Sequence, residues 1–376
     1  MKRCVKCILP ETYSSISFND EGVCNYCSDY RPFHKYLGKE ELLALMNSGT
    51  GHRKYDCLVP ISGGKDSTFI LYYAVRELKL SSLAVTYDSG FQTELAKQNI
   101  LNATSILGVP LITVKSPGDL QSKLLRESLL ISKKVGYLTQ YCGNCEAIIR
   151  SVSINSAKKH GIAFILWGSS ALETISNQDY ENYRKIGTRN SSKSNNLMVT
   201  AKTKWNALVK DPSKIRRLPK VIYPFVGYHS LKYKIFSIAQ RVFLQFPFRY
   251  AIRPNSVPPF SEKDPAFVHF FDYIPWDSIR NITLLKEILK WEHPGDRITR
   301  FDCGIHCLGN YDYLKRYGIS HDGVNFCNFI RENRMSREEV MIRENEIINK
   351  INEECGNLTS AKKLGNSFLS KIPNIM

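Results

Sequence analysis

A tight glycine turn between an apolar run and an amphipathic run constrains this 376-residue chain more than any other feature. The apolar run, 56–61, has the length of a buried parallel strand, and 68–78 spaces its apolar residues along one face of a helix. Between them, residues 62–67 read Ser-Gly-Gly-Lys-Asp-Ser. Glycines let the backbone approach a ligand, and the first N–H groups of a helix attract anions. The sequence therefore predicts a polyphosphate cradle; the alternative is a turn that only joins a strand to a helix.

The predicted nucleotide-binding residues of the turn are Ser62, Gly63, Gly64, Lys65, Asp66 and Ser67. The serines offer hydroxyl donors, and Lys65 offers a cation. The turn is not a Walker A loop, because that motif needs Ser or Thr after its lysine and Lys65 is followed by Asp66. A different class of phosphate-binding loop is indicated.

Strands and helices alternate from residue 54 to residue 167, which predicts an α/β fold with a parallel sheet and helices on both faces. The further predicted strands are 82–87, 110–114 and 162–167, and the further predicted helices are 94–107, 120–134 and 146–159. Ligands of such sheets bind at the carboxyl ends of the strands, where Asp88 and Gly168 fall. We predict that Gly168 lies against the nucleotide. Asp88 is predicted either to bind the nucleotide or Mg²⁺ or to be an ordinary turn carboxylate.

Four cysteines near the start have the spacing of a zinc ribbon. They form two Cys-x-x-Cys pairs, Cys4 with Cys7 and Cys24 with Cys27. Four thiolates complete a tetrahedral site, so the predicted Zn²⁺ is structural. The alternative is four free thiols that have this spacing by chance.

A second cysteine set is spread along the chain. Cys142 and Cys145 open a predicted helix, where thiolates are favoured, and we predict that they share a metal with Cys303. Cys307 or His306 is the predicted fourth ligand. Zinc and an iron–sulfur cluster both suit this set, and the alternatives are unlinked thiols or a redox pair at Cys142 and Cys145.

The charge and composition narrow the class of protein. A net charge of +17 favours polyanionic partners, and 43% hydrophobic residues are typical of a globular chain. No signal peptide and no membrane-spanning run are evident, so we expect a cytoplasmic protein. The basic segment 189–220 is predicted to be either a solvated face or a binding surface.

We predict three regions. Residues 1–50 are predicted as the zinc ribbon and a bridging helix, and 51–176 as the ATP-binding domain. Residues 177–376 are predicted as a mainly helical region that binds substrate or partners.

The turn at 62–67 resembles the pyrophosphate loop (PP-loop) of the N-type ATP pyrophosphatases. That superfamily has a Rossmann-like (HUP) domain and includes NAD and GMP synthetases, tRNA thiolases and argininosuccinate synthetase. Its members split ATP between the α and β phosphates and transfer AMP to a substrate oxygen. The resemblance implies that Lys65 and Asp66 are catalytic and that ATP and Mg²⁺ are cofactors.

The combination of motifs resembles a narrower family, the N-acetyl sugar amidotransferases (WbpG/PseA-like). It comprises the ribbon, the loop, the later Cys-x-x-Cys, Arg-Phe-Asp-Cys at 300–303 and Met-Ser-Arg-Glu-Glu at 335–339. The resemblance implies conversion of an acetamido group to an acetamidino group on a UDP-linked diacetamido uronic acid, for lipopolysaccharide O-antigen or another surface polysaccharide. It further implies ammonia supplied by a glutaminase (HisH-like) and a cyclase-like (HisF-like) partner.

Two other functions compete with this interpretation. A tRNA thiolase of the same superfamily would use the positive charge on phosphates and the second cysteine set for sulfur delivery. A zinc-ribbon nucleic-acid-binding protein with a vestigial loop would not be an enzyme. We expect nucleic acid not to be the partner.

Overall fold

A computed structural model describes residues 1–30, 36–48, 54–116, 121, 125, 141–168, 265–294 and 300–355. Side chains are not described for 141–144, 147, 278–279 and 353–355. The basic segment 189–220 and most of the predicted helix 120–134 lie outside the described residues.

Five parallel strands form the central sheet, in the order β3-β2-β1-β4-β5. They are β1 (Cys57–Pro60), β2 (Ser82–Asp88), β3 (Leu111–Lys115), β4 (Phe164–Trp167) and β5 (Ala266–His269). This confirms the predicted α/β fold with a parallel sheet. The order reverses between β1 and β4, and ligands of such sheets bind beside that reversal. The turn at 62–67 follows β1 and therefore lies at the expected binding edge.

The fifth strand comes from the far side of the undescribed segment 169–264. In β5, Phe267 pairs with Ile165 and Val268 with Leu166 of β4. Residues after 177 therefore contribute a strand to the central sheet. The predicted division at residue 176 stays a prediction.

Helices cover the sheet and bring later parts of the chain to the binding edge. They are α1 (Asn25–Ser28), α2 (Lys39–Asn47), α3 (Lys65–Tyr72, continued as a π-helix over Tyr73–Glu77), α4 (Glu94–Leu107), α5 (Tyr141–Lys159) and α6 (Ser278–Leu289). The bounds of α4 match the prediction because both ends have clear signals. Thr93 caps its first turn, and Gly108 ends it at φ +67°.

Three further helices follow residue 305 and pack against the ribbon. They are α7 (His306–Tyr317), α8 (His321–Arg331) and α9 (Arg337–Cys355), which confirms the predicted helical C-terminal region. Ile8 and Leu9 of the ribbon share a core with Val324, Ile330 and Val340. The ribbon and the C-terminal helices are thus one packed unit. None of the helices in the described ranges has the length and apolar character needed to cross a membrane.

Candidate nucleotide site and metal centre

The predicted phosphate turn closes on itself through short hydrogen bonds. Gly63 has φ +83°, in the left-handed region, and Gly64 is the N-cap of α3. The Ser67 hydroxyl accepts a hydrogen bond from Ser62 N at 3.1 Å, and Thr68 Oγ1 donates to Gly64 O at 2.8 Å. The first N–H groups of α3 have no intrahelical acceptor and point out of the helix end. The turn thus presents donors and a positive helix end to an anion.

A tryptophan from outside the predicted ATP-binding domain holds both predicted catalytic residues. Lys65 Nζ lies 2.7 Å from Asp66 Oδ2, and Trp276 Nε1 donates to Asp66 Oδ1 at 2.8 Å. Lys65 Nζ also lies 5.2 Å from the centre of the Trp276 ring, within cation–π range. The two side chains are 28% and 19% exposed, so they are accessible to a ligand.

The back of the turn fits tightly against α4. A Cβ on Gly63 would lie 2.2 Å from Ala96 O, so no side chain fits there. Gly63 O accepts hydrogen bonds from Trp291 Nε1 at 2.9 Å and from Asn99 Nδ2 at 3.4 Å. Asn99 also binds both backbone groups of Glu292 at 2.8 Å. One buried asparagine therefore links α4, the phosphate turn and the segment after α6.

A buried carboxylate borders the other side of the turn. The Asp302 side chain is 7% exposed, and its Oδ2 would lie 3.3 Å from a Cβ on Gly64. Burial alone would raise the pKa of Asp302. The Arg300 charge and hydrogen bonds from Arg300 and Ser62 outweigh burial and lower that pKa, so the carboxylate is ionised at neutral pH.

The two predicted residues at the other strand ends have local contacts of their own. Asp88 Oδ1 accepts a hydrogen bond from Gly90 N at 2.9 Å, which is a turn contact. A Cβ on Gly168 would lie 3.0 Å from Ile70 Cδ1, so its backbone packs closely against α3. Their binding roles, like those of the loop residues, stay predictions.

The four ribbon cysteines form a buried group with metal-binding geometry, which confirms the predicted cluster. Their Sγ atoms all lie within 4.8 Å of one another, and each residue is 0–5% exposed. Cys7 Sγ and Cys24 Sγ lie 3.8 Å apart, close to the edge of about 3.8 Å that a tetrahedron of about 2.3 Å Zn–S bonds requires. Cys24 N donates to Cys4 Sγ at 3.2 Å, which favours the thiolate form. The donor set fits Zn²⁺.

Arg331 of α8 is buried against this group. Its Nε lies 3.3 Å from Cys27 Sγ and its Nη2 lies 3.7 Å from Cys7 Sγ. Hydrogen bonding with Cys24 and the Arg331 charge both lower the pKa of Cys27, which is about 6. Burial alone would lower the pKa of Arg331, but the neighbouring thiols, including Cys327, outweigh it and raise that pKa. The C-terminal bundle therefore supplies a counter-charge for the metal centre.

The predicted second metal site is described only in part. The Cys142 side chain lies outside the described residues, while Cys145, Cys303 and Cys307 are half-buried. His306 Nε2 lies 3.2 Å from both carboxylate oxygens of Asp322. Burial alone would raise the pKa of Asp322, but the His306 charge and hydrogen bond, together with His321, hold it well below its usual range. Membership of Cys142, Cys145, Cys303 and Cys307 in one site stays a prediction.

Sequence reasoning missed four residues that contact the phosphate turn. They are Asn99, Trp276, Trp291 and Asp302. Asp302 lies in the Arg-Phe-Asp-Cys motif at 300–303, and that motif is the sequence signal that could have identified it. Neither tryptophan has a local pattern that separates it from a core aromatic.

Comparisons with known proteins give distant similarities. No protein-family model matches the chain. An uncharacterized protein of Methanocaldococcus jannaschii is 29% identical over 154 residues, which cover 38% of this chain and 56% of that protein. The chain thus matches only about half the length of that curated relative.

Two solved structures are similar at low identity. NMN synthetase from Francisella tularensis is 21% identical, with a TM-score of 0.27 over 36% of this chain and 54% of that one. The U34-tRNA thiolase NcsA from Methanococcus maripaludis, with its 4Fe–4S cluster, is 14% identical, with a TM-score of 0.38 over 94% of this chain and 91% of that one. Both similarities are weak, and the fold is defined by the order of the parallel strands and by the turn after β1.

Proposed function

We propose that this chain is an ATP-dependent, AMP-forming enzyme of the PP-loop ATP pyrophosphatase type, and that it acts as an N-acetyl sugar amidotransferase. The observation that carries the first part is the Ser62–Ser67 turn, which presents helix N–H groups, two hydroxyls and Lys65 at the carboxyl end of β1. The sugar acceptor depends on the resemblance of the ribbon, the loop and the motifs at 300–303 and 335–339.

The proposed reaction has two steps, adenylation of the amide oxygen and its displacement by ammonia. The amide oxygen of the acetamido group attacks the α-phosphorus of ATP, and pyrophosphate leaves. Ammonia then attacks the carbon of the resulting O-adenylyl imidate, and AMP departs with the oxygen. The products are the amidine, AMP and pyrophosphate.

The protein's part in this reaction is positioning and charge stabilisation. The backbone N–H groups of residues 63–67 and the Ser62 and Ser67 hydroxyls hold the departing pyrophosphate. Lys65 offsets its developing charge, and Trp276 fixes the orientation of Asp66. Mg²⁺ bound with ATP would neutralise phosphate charge, and Asp66 is the carboxylate of the turn that suits it.

The deciding experiment supplies the chain with ATP, Mg²⁺, ammonium and a UDP-linked diacetamido uronic acid. We expect AMP and a product in which one carbonyl oxygen has become NH, identified by mass spectrometry. AMP release should require both the sugar and ammonium. When the glutaminase and cyclase-like partners are present, glutamine should serve as the nitrogen source in place of added ammonium.

Parallel reactions separate the competing functions. Thiolated tRNA with salt-sensitive tRNA binding would identify a thiolase and contradict the sugar acceptor. Nucleic-acid binding with no AMP from any acceptor would contradict the enzyme itself.

A variant of the turn tests the catalytic assignment. Asp66→Asn should reduce AMP formation by at least about tenfold, because it removes a charge-assisted contact, while the ribbon metal stays bound. Glu94→Gln is the matched control, since Glu94 also lies 2.7 Å from a lysine, Lys97, but at an exposed site on α4. Full activity of Asp66→Asn would remove Asp66 from the catalytic residues.

A further inference from the structure

Arg300 and Asp302 lie in a segment that is fixed beside the phosphate turn by backbone hydrogen bonds. Thr93 Oγ1 donates to Phe301 O at 2.9 Å, and Gly304 N donates to Phe91 O at 2.8 Å. Gln92 and Cys303 form an antiparallel bridge between the same two segments. The loop that enters α4 therefore holds 301–304 in place.

The carboxylate of Asp302 faces the turn from this segment. Its Oδ2 would lie 3.3 Å from a Cβ on Gly64. A buried carboxylate at the mouth of an anion site repels phosphate unless a cation accompanies it.

Arg300 supplies that cation. Its Nε lies 3.3 Å from Asp302 Oδ1 and its Nη2 lies 3.2 Å from Oδ2, which is a bidentate contact. The contact fixes the plane of the guanidinium, and the Arg300 side chain is 63% exposed, so a ligand in the turn can reach it. Arginine binds phosphate oxygens through the same planar fork of donors.

The charge of Lys65 alone does not neutralise a pyrophosphate group in the turn. Its Nζ lies 2.7 Å from Asp66 Oδ2, so the turn contains a paired cation and anion before any ligand arrives. A pyrophosphate group carries several negative charges. A second cation from outside the turn would balance part of that charge.

We propose that Arg300 is a phosphate-binding residue of this site and that Asp302 is the positioning residue that holds its guanidinium against the turn. The ligand is the β,γ-pyrophosphate portion of ATP, and the inference thus rests on the proposed ATP-dependent function.

Binding of Mg²⁺-pyrophosphate and Mg²⁺-ATP to the full chain, measured by calorimetry, tests this inference. Arg300→Gln should weaken both by about 10- to 100-fold, because it removes a charged hydrogen-bonding partner. AMP affinity should not change, whereas a merely structural role for Arg300 would weaken AMP and pyrophosphate binding together. Arg300→Lys should recover part of the affinity, since it keeps the charge and loses the fork.

Asp302→Asn should weaken pyrophosphate binding less than Arg300→Gln does. The double variant, with both substitutions, should bind pyrophosphate no more weakly than Arg300→Gln alone, because Asp302 acts through Arg300. Arg76→Gln is the control: this exposed arginine donates to Ile106 O on α4 and should leave binding unchanged.

Two results would overturn the inference, and they are distinguishable. If Arg300→Gln binds pyrophosphate like the wild type while the wild type forms AMP, Arg300 has no such role and the proposed function stands. If the wild type binds neither ATP nor pyrophosphate, the proposed function falls and this inference falls with it.

Discussion

The metal centre and the phosphate turn are both short N-terminal motifs completed by residues from much later in the chain. Arg331 contacts Cys27 across 304 positions, and Trp291 contacts Gly63 across 228. The two sites differ in access to solvent. The four cysteines are 0–5% exposed, whereas Lys65 and Asp66 keep 28% and 19% of their side-chain surface.

The contacts that the later residues make with the two motifs also differ in chemistry. At the metal centre, a guanidinium meets thiolates, and both partners are charged and buried. At the turn, neutral indole N–H groups meet a carbonyl and a carboxylate. A closed, charge-compensated site can hold an ion but cannot exchange a substrate. An open site held by neutral donors keeps its charge available for a ligand.

Removal of the metal should have the largest effect on this pair of sites. Structural zinc contributes on the order of 10 kcal/mol of binding free energy in ribbon-like peptides, so chelation should unfold the ribbon and loosen α8 and α9. Circular dichroism and calorimetry before and after chelation would show a large fall in the thermal midpoint. An unchanged midpoint after verified metal loss would mean that the cysteines do not hold the fold.

Replacement of Arg331 should have the next largest effect. Arg331→Met removes the counter-charge of a buried site, and the loss of one partner of a buried charged pair costs about 3–5 kcal/mol. We expect lower stability in urea and faster metal release to a chelator. Arg343→Met is the control, because Arg343 lies 5.9 Å from the Phe326 ring centre and contacts none of the cysteines in the hydrogen bonds described. Equal metal release from both variants would contradict the role of Arg331.

Trp291→Phe should have the smallest effect on stability, and it should change the turn without changing the metal centre. It keeps most of the buried ring but removes the donor to Gly63 O, at a cost of about 1–3 kcal/mol. We expect weaker ATP binding with no change in metal release. Trp167→Phe, at a ring that packs on Phe267, controls for loss of an indole. A change in metal release with Trp291→Phe would show that the two sites are coupled.

The sequence predicted the parts of the fold that are specified locally. The predicted bounds of α4 match the structure, in which Thr93 and Gly108 mark its ends, and the four strands before residue 168 followed from short apolar runs. The turn and the ribbon were predictable because each motif is contiguous or nearly so.

The contacts that residues from later in the chain make with the turn were not predictable in the same way. Trp276 and Trp291 have the composition of core residues, and their roles depend on β5 and α6 packing beside β4 and α4. Sheet membership of β5 also had no local signal, because four residues after the proline-rich connection 254–265 do not define a strand. These features arise from tertiary packing between distant segments.

The contact between the ribbon and α8 has a consequence for synthesis of the chain. The ribbon leaves the ribosome first, yet Arg331 and the apolar face of α8 follow about 300 residues later, which takes roughly 15–60 s at ordinary elongation rates. During that interval Ile8 and Leu9 have no partner from α8 and the thiols have no arginine beside them. A newborn chain therefore depends on early metal capture, or on a chaperone, to protect a surface that the finished protein buries completely.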